Sequence, residues 1–129
     1  LEKATQILDQ LELLPFQHSL AGELDFGRQK MLDFARALAS EPKMLLLDEP
    51  AAGLRNREIH FLDRFLMRLA RDQQITILLI EHVMSLVMSV ADQVTVLNFG
   101  QKIAEGIPAD IKRNEAVIEA YLGKEASHA

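Results

Sequence analysis

The sequence contains no cysteine. That excludes a disulfide framework and any thiolate metal site, and it suits a chain working in a reducing cytosol. Long apolar runs are missing as well. The most strongly apolar stretch, residues 75–80, is interrupted by Thr76. A membrane span needs roughly 20 apolar residues, so no transmembrane helix is expected. No apolar segment follows Leu1-Glu2-Lys3-Ala4, so the start is not expected to be a signal peptide; it has no initiator Met and reads as cut from something longer. Basic clusters are lacking too. The 14 Lys and Arg are outnumbered by 19 Asp and Glu and are interleaved with them. A nucleic-acid footprint needs basic residues gathered on one face, so nucleic acid is not expected as a partner. Neither internal repeats nor low-complexity segments occur.

What is present is a globular composition. Apolar residues make up 49% and charged residues 26%, which excludes a wholly disordered chain, and 129 residues suffice for one compact domain. Ala4, Ile7, Leu8, Leu11 and Leu14 recur at helical spacing, so residues 1–14 are expected to form an amphipathic helix ended by Pro15. A second helix is expected from Gly27 to about Ser40, stopped by Pro42, with Met31, Leu32, Phe34, Ala35 and Leu38 on its apolar face. Met44-Leu45-Leu46-Leu47 is a short continuous apolar run, the pattern of a strand buried on both faces of a parallel sheet. Residues 57–72 return to helical spacing, 75–80 read as a second buried strand, and 83–91 as a helix. Val94 to Phe99 is a third strand, Asn98-Phe99-Gly100-Gln101 a hairpin turn, and Lys102 to Glu105 a returning strand. Pro108 opens a small helix, and residues 114–122 form a last one. Strand and helix alternating in this way give an α/β fold with a mainly parallel sheet.

Three constellations carry chemistry. In Leu45-Leu46-Leu47-Asp48-Glu49-Pro50 a buried strand delivers two carboxylates to its C-terminal end, where ligands sit in open α/β sheets. Asp48 suits a magnesium ion held through water, and Glu49 a base that polarises water attacking a phosphate. Equally, the run can be a strand ending in solvated acids. Ile80-Glu81-His82 repeats the arrangement: His82 can donate to a γ-phosphate or can be a surface histidine. His82 lies 33 residues after Glu49, room for one helix and one strand. A right-handed crossover brings both strand ends to the same sheet edge, so the two features support each other. Third, Leu24-Asp25-Phe26-Gly27-Arg28 opens a helix whose free N–H groups form an anion site, unless Asp25 simply caps them.

Gly22 and Gly27 have the glycine spacing of a P-loop, but Arg28 and Gln29 stand where Lys and Ser or Thr are required. No apolar strand precedes them, and Glu23 and Asp25 would repel phosphate. These 129 residues therefore contain no phosphate cradle.

Taken in order, the segments resemble the ATP-binding subunit of ABC transporters, in its C-terminal half. Leu24, Asp25, Phe26, Gly27 and Arg28 match the signature motif, and Ala35-Arg36-Ala37-Leu38 the helix after it. Leu45 to Pro50 matches Walker B, Ala52-Gly53-Leu54 the D-loop, and His82 the switch histidine. Within that family, Ala51-Ala52-Gly53-Leu54, Leu78-Leu79-Ile80-Glu81-His82, Leu86-Val87-Met88, Ala104-Glu105-Gly106 and Val117 to Gly123 are most similar to the branched-chain amino acid importers. The resemblance implies part of a P-loop ATPase core, with residues 1–41 ending a helical subdomain and 42–129 forming half of the core. It implies ATP and Mg2+ as ligands of the whole protein. Asp48 would hold the metal, Glu49 and His82 would serve catalysis, and Leu24 to Arg28 with Gly53 would contact nucleotide across a dimer. The implied partners are a second ATPase subunit and transmembrane permease subunits, at the cytoplasmic face of the membrane.

The chain departs from the family pattern at several points. The N-terminal half with Walker A and the Q-loop is not among these residues. Asp25 replaces the signature Ser, Arg28 the usual Gln, and Arg55 the D-loop Asp or Asn. The 129 residues alone are therefore expected to bind ATP weakly and not to hydrolyse it. In the family the P-loop strand lies between the strands at 75–80 and 94–99. Without it, those strands are expected to pair with another chain or to meet directly. Two other readings stay open: a non-catalytic half-domain serving subunit contact, and a soluble ABC-type ATPase.

Overall fold

The computed structural model describes residues 1–122, the last by its backbone alone. They form two compact units, 1–81 and 82 onward. The expected Gly123 match lies outside the described residues.

The first unit contains α1 (Glu2–Gln10), α2 (Phe26–Ala39), β1 (Met44–Asp48), α3 (Asn56–Arg71) and β2 (Thr76–Ile80). Its core is organised by α3. Leu62, Phe65, Leu66 and Leu69 recur along one face and are almost wholly buried. Phe65 meets Phe34 of α2 edge to face, with ring centroids 5.9 Å apart. α1 is shorter than the periodicity predicts. It stops at Leu11, Glu12 turns the chain at φ 58°, and Leu14–Phe16 makes a separate 3-10 turn. Leu11 and Leu13 enter the core on either side of that bend, whereas Leu14, which the periodicity places on the helix, lies in the 3-10 turn and is half-buried.

β1 and β2 pair in parallel, Met44 opposite Thr76 through Asp48 opposite Ile80. The crossover unit read from the sequence is thus formed. Burial on both faces is not. Leu45 is buried, but Leu46 on the other face is 71% exposed, and Met44, Leu78 and Ile80 beside it are at least half exposed. An apolar strand reports that a covering is possible, not that these residues supply it.

The second unit contains α4 (Met84–Val90), β3 (Val94–Asn98), β4 (Gln101–Gly106), α5 (Pro108–Arg113) and the short α6 (Glu115–Val117), which passes into a wider turn over Ile118–Leu122. The last helix is therefore broken where one continuous element was expected. β3 and β4 form the predicted hairpin, antiparallel and bulged between Val96 and Leu97. Phe99 and Gly100 at its tip adopt φ 48° and 77°, the left-handed pair such two-residue turns need. Val87, Val94, Val96, Ile111 and Val117 make the core, and the Tyr121 hydroxyl donates to the Leu97 carbonyl. β3 pairs only with β4 among the described residues. Among the described residues no helix is long and apolar enough to cross a membrane.

Candidate functional site

Parallel pairing aligns the C-terminal ends of β1 and β2, so Asp48 and Glu49 leave the sheet beside Ile80 and Glu81. The ladder continues one step past β1: the Glu49 N–H donates to the Ile80 carbonyl at 2.8 Å. Glu49 then turns at φ 47°, a left-handed conformation that costs a non-glycine residue free energy and clusters at functional sites. Both Asp48 and Glu49 are solvent-exposed. The next peptide is fixed by a carboxylate: the Ala51 N–H donates to Glu81 Oε2 at 3.0 Å. His82 follows Glu81 in the chain, is exposed, and opens the second unit.

Residues 24–28 sit at the start of α2. Asp25 is its N-cap, accepting the Arg28 N–H at 2.9 Å. The Arg28 guanidinium also pairs with the Asp25 carboxylate and lies over the Phe16 ring, 4.4 Å from its centroid. Asp25 therefore spends its acceptors on its own helix. Phe26 packs on Gly53, where an added methyl would lie 2.6 Å from the ring Cε1. Gly27 is buried against Glu58 of α3, and Glu58 reaches back to accept the Arg55 N–H at 2.8 Å. Leu24, half-buried, leads into the cap. The glycines 22 and 27 do not form a phosphate loop: residues 21–23 make a 3-10 turn and Gly27 lies inside a helix.

Two of the predicted groups thus meet in one unit: residues 24–28 with Gly53, and Asp48–Glu49 with the end of β2. The sequence reading missed Lys30, Glu58 and Glu81. Lys30 Nζ donates to the carbonyls of Pro50, at 3.1 Å, and of Ala52. Glu58 carried a signal, since an acid three residues after a helix cap is the capping-box spacing. Lys30 and Glu81 carried none, because their partners are backbone groups more than 20 positions away or close to it.

The ABC transporter family matches residues 1–52, and the C-terminal family of branched-chain amino acid ATP-binding cassette transporters matches residues 101–127. The high-affinity branched-chain amino acid transport ATP-binding protein BraF of Pseudomonas aeruginosa is 42% identical over 124 residues, covering 96% of this chain and 49% of BraF. LivG of Escherichia coli shows the same identity and coverage. A probable LivG of Archaeoglobus fulgidus is 37% identical over 98% of this chain and 49% of its own length. Among solved structures, an ATP-binding cassette of an ABC transporter in its ADP conformation, MJ1267, superposes with a TM-score of 0.82 at 36% identity, covering 95% of this chain and 49% of that one. The chain spans about half the length of the curated relatives it matches.

Proposed function

We propose, from a sequence and fold that match the C-terminal half of ABC-transporter ATP-binding subunits, that this chain supplies the hydrolytic edge of an ATPase driving a branched-chain amino acid importer. The observation that carries the reading is the β1–β2 register. It aligns two strand ends so that Asp48 and Glu49 emerge beside Glu81, with His82 next in the chain.

The residues fit one end of a Mg-ATP complex. Mg2+ keeps most of its water and needs only one or two carboxylates. Asp48 is exposed at a strand end, and among the described residues no group of three or more acidic or histidine side chains gathers into a dry metal cage. When bound, Mg2+ neutralises charge on the phosphates. Glu49 then orients a water molecule and accepts its proton. His82 donates to the terminal phosphate. These residues do not fit the β-phosphate, for which the chain offers no P-loop. We assign that cradle to a separate P-loop-bearing half, as the resemblance to the family implies. The partners we propose are a second ATPase subunit facing the start of α2, and permease subunits at the cytoplasmic face of the membrane.

On the facing side, Asp25 sets a carboxylate where the family has a hydroxyl donor. An ionised Asp only accepts hydrogen bonds, and here it already caps α2 and pairs with Arg28. We therefore read this side as the weaker half of the nucleotide sandwich.

The test is Glu49→Gln in an ATPase assembled from this chain and a P-loop-bearing half. Loss of the base affects the chemical step more than ground-state binding. Turnover is expected to fall by roughly 100-fold or more while ATP stays bound. Near-normal turnover in that variant would remove Glu49 from the role.

A further inference from the structure

Lys30 lies outside every motif named above, yet it holds two backbone carbonyls of one loop. Its ammonium donates to two backbone carbonyls, of Pro50 and Ala52, and stands 5.3 Å from the centroid of the Phe26 ring. Pro50 directly follows Glu49, and Ala52 directly precedes Gly53, on which Phe26 packs. From the other side Glu81 accepts the N–H of Ala51, the residue between them. The peptide group between Pro50 and Ala51 is thus gripped at both ends, its carbonyl by Lys30 and its N–H by Glu81, and Lys30 also holds the carbonyl of the Ala52–Gly53 peptide.

This grip joins two parts of the first unit. One is the start of α2, with its cap at Asp25. The other is the loop that leaves Glu49 in its left-handed conformation. A lysine suits the task. Its ammonium has three donors and can serve two carbonyls at once while its charge faces an aromatic ring. Hydrogen bonds from a charged donor are also among the stronger ones.

We infer that Lys30 is a positioning residue that locks the start of α2 to the loop behind Glu49, so that contact of a nucleotide with the α2 N-terminus is transmitted to the base. The inference rests on the reading of Glu49 given above and adds to it a route from the start of α2 to that residue.

Two substitutions test it. Lys30→Met keeps an apolar stem of similar length and removes the charge and donors; Lys30→Arg keeps the charge and donors. The first readout is hydrogen exchange in the chain itself. The amides of Ala52 and Leu54 donate to the carbonyls of Glu49 and Ala51, so they report the closure of this loop. In Lys30→Met they are expected to exchange about tenfold faster, the order set by losing a hydrogen bond to a charged group. Lys30→Arg should restore slow exchange. The second readout is turnover in the assembled ATPase. Lys30→Met should lower kcat by roughly tenfold with KM for ATP nearly unchanged, and Lys30→Arg should recover it.

Unchanged exchange in Lys30→Met would overturn the inference. So would a rise in KM at constant kcat, which would make Lys30 a binding residue. If Glu49→Gln left turnover intact, the function proposed above would fall. The exchange measurement would still judge the lock by itself.

Discussion

Gly53→Ala probes the junction between the α2 start and the loop after Glu49, and its effect follows from two separable terms. The first is backbone conformation. Gly53 has φ 76°, where an L-residue pays about 1–2 kcal/mol. The second is contact. The new methyl would lie 2.6 Å from Phe26 Cε1, so the ring must retreat by about 0.8 Å to reach an ordinary 3.4 Å. Overpacking of this kind costs about 1–3 kcal/mol. The lower end applies here, because Phe26 is 55% exposed and can swing outward. The total is about 2–3 kcal/mol. Gly100 supplies the control: its φ is 77°, yet nothing lies within 4 Å of an added methyl. Gly100→Ala should therefore show the backbone term alone, about 1–2 kcal/mol. The two glycines lie in different units. Urea-dependent hydrogen exchange, read through amides of each unit, is the suitable assay. Phe26→Ala combined with Gly53→Ala should relieve the contact term and leave the backbone term. Equal effects of the two glycine substitutions, with no relief on removing Phe26, would refute the reasoning.

Other outcomes follow from the same structure. Asp25→Ala should lose the α2 cap and lower stability to urea by about 1 kcal/mol, whereas Asp25→Ser, itself a good cap, should stay within a few tenths; equal stability of Asp25→Ala and wild type would remove the cap from the account. The 129-residue chain should bind Mg-ATP more weakly than about 1 mM by calorimetry, since it lacks the cradle for the phosphates; a micromolar affinity would contradict that. The hydrogen bond and charge of Lys102 hold the Glu105 carboxyl below its ordinary value of 4.5. The pair's contribution is therefore present above that value and fades as pH falls through the lowered one. Lys102→Met should move the Glu105 titration, followed by carboxyl NMR, back up toward 4.5. An unmoved titration would remove Lys102 as its cause.

Much of this was legible in the sequence where local chemistry and fold agree. Leu45 to Glu49 reads as an apolar run ended by acids, and a parallel strand carries it. Asn98-Phe99-Gly100-Gln101 reads as a hairpin and is one. Asp25 reads as a cap as readily as a ligand, and in the structure it caps. The failures have a common cause. Leu11 and Leu14 extend the helical pattern although the chain bends at Glu12, because periodicity records apolar spacing and not backbone path. Leu46 looks like a doubly buried position although one side of its sheet is open, because apolarity marks a surface that can be covered without naming the cover. Lys30 and Glu81 look like surface charges. Their partners are peptide groups, which every residue carries and no sequence pattern marks.

The hairpin tip has a practical use. Phe99 is 98% exposed, and the turn it shares with Gly100 is set by backbone conformation alone. The chain has no native thiol. Phe99→Cys thus creates one uniquely addressable position, at which a fluorophore or nitroxide can be attached without masking or removing any other group. A probe there would ride on a short, well-paired ribbon and turn with it. Paired with a second label on a binding partner, it would convert assembly of this protein into a distance that can be followed in solution.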